Sequence, residues 1–101
     1  MTMRARIQPP VHPGEILKEE YLVPLGMSAG LLARRLHVPR TRIERIVART
    51  HPVTTNTALR LARFFDTTPD YWMNLQVAYD LASEAAAIAD ELDGIERLSA
   101  A

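Results

Sequence analysis

The residues best suited to chemistry lie on one face of a short segment, residues 40–45. Arg40, Thr41, Glu44 and Arg45 are predicted on the exposed side of a helix. An arginine can form two parallel bonds to guanine, a threonine can contact a thymine methyl group, and a glutamate can accept from cytosine. A helix with such a face can enter the major groove of DNA and read base edges.

Two short helices joined by a tight turn would hold this face in place. Ser28 is a good N-cap for the first helix, and Pro39 falls near the start of the second, where its missing N–H costs nothing. The inward positions of residues 28–47 are apolar, as two crossing helices require: Leu32, Ala33, Leu36, Val38, Ile43 and Ile46. This pattern is a helix-turn-helix, and it makes DNA binding the leading hypothesis.

The rest of the chain predicts an all-α fold of five helices with no convincing strand. The first helix is expected over residues 14–23, and the second and third over residues 28–36 and 40–48. Thr54 or Thr55 caps a fourth helix, in which five residues are expected to be largely buried: Leu59, Leu61, Ala62, Phe64 and Phe65. Thr68 caps a long fifth helix, which is predicted to run unbroken from residue 69 to about residue 92.

Composition narrows the class of protein. The 101 residues suit one domain, and 48% hydrophobic with 24% charged residues is ordinary for a globular chain. With no cysteine, disulfides and thiolate chemistry are excluded. No apolar run approaches the ~20 residues that span a bilayer, and the first residues lack the apolar core of a signal peptide. We expect a cytoplasmic protein with a flexible arm at residues 1–11, a domain at 12–95 and a flexible tail at 96–101.

The net charge of zero hides a strong asymmetry along the chain. Residues 1–63 hold eleven Lys/Arg and four Asp/Glu, whereas residues 64–101 hold one Arg and eight Asp/Glu. A basic front favours association with polyanions such as DNA. The acidic back is open to two interpretations, a plain solvated face or a surface that attracts a basic partner.

Catalytic and metal-binding patterns are lacking. His12, His37 and His51 lie far apart in sequence, and none is spaced i, i+4 from another potential ligand. The four glycines fit no phosphate-binding loop, and the pair Glu19 and Glu20 falls on the exposed side of the first helix. We therefore expect no enzyme, no cofactor, no metal and no small-molecule substrate.

Four segments carry a resemblance to a known family. They are HPGEILKEEYLVPLG at 12–26, SAGLLARRLHVPRTRIERIV at 28–47, TNTALRLARFFDTTPDYWMNLQ at 55–76 and AYDL at 78–81. The chain resembles the HigA-type antitoxins, a branch of the lambda-repressor-like (Xre) helix-turn-helix proteins. The resemblance implies an antitoxin that silences a RelE-like messenger-RNA-cleaving toxin and, as a homodimer, represses its own operon at an inverted repeat. A stand-alone regulator, or an interaction module without specific DNA binding, remains an alternative.

The resemblance also implies roles for individual residues. Bases would be read by Arg40, Thr41 and Arg45, with Glu44 either accepting from a base or pairing with a neighbouring arginine. Phosphates would be contacted by Arg42 and Arg49 and by the helix starts at Ser28 and Thr54.

Three positions depart from the family pattern. Ala29 stands where a phosphate-contacting Gln is frequent, and His37 stands in the turn where Gly is usual, at a position that tends to need positive φ. Ala48-Arg49-Thr50 replaces the common Asn-Gly-Lys, so we expect the third helix to end differently.

We expect a dimer, because two recognition helices about 34 Å apart read an inverted repeat. The fifth helix is the predicted dimer element, because its apolar residues follow the spacing of a helix-packing surface. One line of residues recurs at three- and four-residue steps: Leu75, Ala78, Ala82, Ala85, Ala89 and Leu92. A second line is Leu81, Ile88 and Ile95. One line would pack on the domain and the other on a partner, or both would serve the core of the monomer.

Overall fold

The computed structural model describes residues 10–99, which form six helices. Helix α1 begins as an α-helix at Pro13–Ile16, continues as a π-helical stretch at Leu17–Leu22 and ends with Val23–Leu25. The others are α2 at Ala29–Leu36, α3 at Arg40–Val47, α4 at Thr55–Phe65, α5 at Pro69–Ala87 and α6 at Ala89–Asp93. The part of the chain so described contains no strand, which confirms the all-α prediction. Most of the predicted N-terminal arm, residues 1–9, and the last two residues of the predicted tail lie outside it.

No helix among the described residues is both long enough and apolar enough to cross a membrane.

The predicted N-caps begin three helices. The Ser28 hydroxyl accepts from the Leu31 N–H at 3.0 Å, and the Thr68 hydroxyl accepts from the Tyr71 N–H at 3.1 Å. Thr54, rather than Thr55, caps α4 by accepting from the Thr57 N–H at 3.4 Å. Each cap satisfies a backbone donor that the helix itself leaves unpaired, so these helix starts are set by local chemistry.

A single core joins α1 to α5. Trp72 is completely buried, and its indole N–H donates to the Thr67 hydroxyl at 2.9 Å, as expected for a core tryptophan. The other buried hydrophobic residues are Leu17, Leu22, Leu32, Ala33, Leu36, Ile43, Ile46, Val53, Ala58, Leu61 and Ala62. The helix-turn-helix contributes five of them, so its two helices are anchored in the core of the whole domain.

Two residues of α4 contradict the predicted burial. Leu59 is 59% exposed and Phe64 is 37% exposed. The helix buries the face that carries Ala58, Leu61 and Ala62, and the helical period turns positions 59 and 64 away from the core.

The predicted unbroken fifth helix is also wrong. Helix α5 ends at Ala87, and Ile88 leaves helical geometry with φ −115° and ψ 24° before α6 begins. Residues 84–87 are exposed, so no tertiary packing holds the chain in one straight helix there. As a result, Ala89 and Leu92 of the predicted dimer line lie on α6, after the break.

Candidate nucleic-acid interface

The orientation of α3 is set by its buried side and by the turn that precedes it. Ile43 and Ile46 are buried against the other helices. His37 caps α2 in the left-handed region with φ 63°, as predicted for the position where the family usually has Gly. The Val38 N–H donates to the Ala33 carbonyl at 3.0 Å, which closes the turn between the two helices.

The predicted base-reading residues lie together on the exposed face of α3. Arg40, Thr41, Glu44 and Arg45 are all exposed. Arg40 Nε lies 3.3 Å from Glu44 Oε2, an i, i+4 ion pair. Of the two roles considered for Glu44, the structure shows the pairing with a neighbouring arginine. Arg40 forms no ion pair with any other carboxylate among the described residues.

The predicted phosphate-contacting residues fall into two groups. Ser28 and Thr54 are exposed at the starts of α2 and α4. Arg42 and Arg49 instead have partners within the chain. Arg42 Nη1 donates to Asn56 Oδ1 at 2.8 Å, and Arg49 Nη1 lies 3.3 Å from Glu15 Oε1.

The predicted change in how α3 ends is wrong. Arg49 itself adopts the left-handed conformation, with φ 65°. The Thr50 N–H donates to the Arg45 carbonyl and the Arg49 N–H to the Ile46 carbonyl, both at 2.9 Å. These two bonds are those of the Schellman motif that glycine usually terminates. Helix α3 therefore ends in the motif that glycine usually completes. Arg49 takes the place of that glycine and bears the strain of the left-handed backbone conformation.

The start of α1 packs directly beneath the end of α3, a contact that the sequence did not reveal. His12 is buried, and its Nδ1 accepts from the Gly14 N–H at 2.9 Å. Gly14 is so close to the Ile46 carbonyl that a side chain there would strike it. Burial and the nearby charge of Arg49 lower the pKa of His12, against the smaller opposite effects of Asp80 and of a hydrogen bond with the backbone of His51.

Asn56 and Arg60 form a second connection that sequence reasoning missed. Asn56 Oδ1 accepts from Arg60 Nε at 2.9 Å as well as from Arg42, and Arg60 Nη1 donates to the Leu36 carbonyl at 2.8 Å. The end of α2, the first turn of α3 and the start of α4 are thereby joined. Only the i, i+4 spacing of Asn56 and Arg60 could have suggested part of this network.

The residues of the predicted dimer line are largely available to a partner. Ala78, Ala82 and Ala85 are exposed on α5, and Ala89 and Leu92 are exposed on α6, whereas Leu75 packs partly against the core. In the second line Leu81 and Ile95 are exposed and Ile88 is half-buried. Beyond Gln76, the last buried residue of α5, both lines therefore face outward for most of their length.

Comparisons with known proteins agree with this geometry. A family model described as Helix-turn-helix matches residues 17–72. Virulence-associated protein I of Dichelobacter nodosus is 53% identical over 73 residues, which span 72% of this chain and 68% of that protein. Antitoxin HigA-1 of Vibrio cholerae is 37% identical over 82 residues, with 78% of this chain and 74% of that protein covered.

Among solved structures, the Pseudomonas aeruginosa antitoxin HigA with the higBA promoter superposes with a TM-score of 0.87 at 41% sequence identity. The match covers 89% of this chain and 99% of that one. It includes the helix-turn-helix and extends well beyond it. The chain therefore belongs to the helix-turn-helix family and, within it, to the HigA-type antitoxins.

Proposed function

We propose that this antitoxin acts as a dimer that represses its own operon and neutralises a RelE-like toxin in the cytoplasm. The observation that carries the DNA-binding part is the exposed face of α3, which presents Arg40, Thr41 and Arg45 from a helix fixed by buried Ile43 and Ile46. The similar Pseudomonas aeruginosa antitoxin HigA was solved with the higBA promoter, which supports DNA binding by this chain.

In this proposal α3 enters the major groove with Arg40, Thr41 and Arg45 at base edges. The Glu44 carboxylate approaches Arg40 at Nε, and we assign the terminal nitrogens of that guanidinium to a base. Ser28 and Thr54 bring helix starts to the phosphates. Arg49 can exchange Glu15 for a phosphate, because both side chains are about half exposed and such pairs contribute less than about 1 kcal/mol.

Substitution of Arg45 tests the reading of bases. Arg45→Ala should weaken binding to the operator by about 1–3 kcal/mol and affect unrelated duplex DNA much less. Arg97→Ala, which removes the same charge from the exposed end of the chain, is the matched control and should bind as the parent protein does. An equal loss on operator and unrelated DNA would make Arg45 a phosphate contact. A reporter gene behind the chain's own promoter should be derepressed by Arg45→Ala and not by Arg97→Ala.

The dimer is assigned to helices α5 and α6. The small side chains of Ala78, Ala82 and Ala85 allow a second helix to approach closely, and Leu81 adds exposed apolar surface beside them. Removal of residues 82–101 should give a monomer in sedimentation experiments. A truncated protein that remains dimeric would contradict this assignment.

The toxin is assigned to no single surface, but the acidic back of the molecule offers complementarity to a basic partner. Six exposed carboxylates lie along the second half of α5, along α6 and in the residues after them: Asp80, Glu84, Asp90, Glu91, Asp93 and Glu96. The protein encoded beside this chain should co-purify with it and lose its messenger-RNA cleavage in the complex. Specific DNA binding without any effect of that neighbour would instead identify a stand-alone regulator.

A further inference from the structure

We propose that Arg42 and Arg60 together form a phosphate site for the DNA backbone, held in position by the neutral amide of Asn56. The inference rests on the proposed DNA binding and adds to it two residues, Asn56 and Arg60, that the sequence pattern did not mark. It also changes the role of Arg42 from a lone surface contact to one half of a paired site.

The geometry fixes both guanidinium groups. A single oxygen, Asn56 Oδ1, accepts from Arg42 Nη1 at 2.8 Å and from Arg60 Nε at 2.9 Å. Arg60 is held a second time by the Leu36 carbonyl, which its Nη1 approaches to 2.8 Å. Both arginine side chains are half-buried, so neither swings freely into solvent.

The charges of the two guanidinium groups are uncompensated. Because they share one acceptor atom, their bonded nitrogens lie within about 6 Å of each other, where like charges repel. Asn56 carries no charge, and within residues 10–99 neither arginine forms an ion pair with a carboxylate. A guanidinium has five N–H donors, of which Arg42 uses one and Arg60 two in these bonds. A phosphate oxygen would both satisfy free donors and relieve the repulsion.

The position of Asn56 indicates which phosphate would bind. Asn56 lines two adjoining surface grooves, one shared with Thr41 and Arg45 of α3 and the other with Arg60 and Arg63 of α4. None of the Asp and Glu residues within positions 10–99 lines either groove. The first groove borders the face of α3 that we propose to read bases, so the backbone of a duplex bound by α3 would pass next to Asn56. We therefore assign the site to a phosphodiester of the bound DNA.

The substitution Asn56→Asp tests the site because it preserves shape and adds one negative charge. An aspartate would hold both arginines more strongly, so the melting temperature should stay the same or rise. The same charge would neutralise part of the charge of the two arginines and repel a phosphate. Affinity for operator and unrelated DNA should fall by about tenfold alike, and the slope of log K against log salt should decrease by about one per bound chain. Asn74→Asp, an identical change at an exposed position of α5, should leave the DNA affinity and the salt slope unaltered.

Arg60→Gln provides a second measurement, with Arg97→Gln at an exposed position after α6 as its control. The salt slope should decrease in Arg60→Gln alone, since Arg97 lines neither groove. An unchanged slope in both Asn56→Asp and Arg60→Gln, with the parent protein binding normally, would overturn the inference. If inorganic phosphate stabilised the parent but not Asn56→Asp while the DNA slopes stayed equal, the site would take a free anion, and the assignment to DNA would be wrong. Failure of the parent protein to bind DNA would refute the proposed function instead.

Discussion

Gly14 lies where the start of α1 meets the end of α3, and an alanine there would collide with the backbone of Ile46. A Cβ atom built on Gly14 falls 2.7 Å from the Ile46 carbonyl carbon and closer still to its oxygen. Carbon atoms in favourable contact are about 3.5–4.0 Å apart, so the two backbone segments would have to separate by roughly 1 Å. Overpacking in a core costs about 1–3 kcal/mol, and more when no side chain can rotate away. We expect Gly14→Ala to lower the free energy of unfolding by about 3 kcal/mol or more.

Urea unfolding measures this loss directly, with Gly94→Ala as the matched control. A Cβ on Gly94 would meet nothing closer than the Glu91 carbonyl oxygen at 3.5 Å, and the backbone there has φ −80°. That variant should therefore remain within about 0.5 kcal/mol of the parent protein. A loss below about 1 kcal/mol in Gly14→Ala would refute the close packing of α1 on α3, and with it the account of how the end of α3 is held.

Three further outcomes are expected. His37→Gly should raise the free energy of unfolding by about 0.5–1 kcal/mol, because glycine accepts φ 63° without strain, and a decrease in urea unfolding would count against a strained turn. Because the pKa of His12 lies below its usual 6.5, the folded protein favours the neutral ring; stability is then fully present above about pH 6.5 and falls as the pH drops through the lowered pKa. Protonation of Nδ1 would also remove the acceptor of the Gly14 N–H, so His12→Asn should show a flatter stability profile between pH 7 and 5, and equal profiles would exclude His12 as the cause. Gly30→Ala would place a Cβ 3.0 Å from Cδ of the flexible Arg40 side chain, which would have to move. The free energy of unfolding should stay the same or rise, because alanine favours a helix more than glycine does, while operator affinity should fall. An unchanged operator affinity would remove Arg40 from the residues proposed to read bases.

Local chemistry explains what the sequence predicted well. The hydroxyls of Ser28, Thr54 and Thr68 cap helices within three residues of themselves, and the buried Ile43 and Ile46 follow the helical period. Features of this kind depend on neighbours along the chain, so spacing and residue type suffice to predict them. The exposed face of α3 followed from the same period.

Contacts between distant segments account for what the sequence did not show. Arg42 meets Asn56 from fourteen residues away, and Arg49 meets Glu15 from thirty-four. No period or composition relates such positions, and only the packing of α1 and α4 around α3 brings them together. The break at Ile88 has the opposite origin: a strong helix-forming run lacks the tertiary packing that would keep it straight. Arg49 shows a third limit, since a motif that normally uses glycine persists here with a different residue.

Specific operator binding by this chain is best measured by titrating the purified protein against its own upstream DNA. The titration should be made at two salt concentrations, against a scrambled duplex of equal length, and with and without the protein encoded beside it. We expect tight binding to the upstream DNA, a steep loss of affinity with added salt, weak binding to the scrambled duplex and a change in affinity when the neighbouring protein is present. Equal affinity for both duplexes at moderate salt would contradict the claim that α3 reads a specific operator.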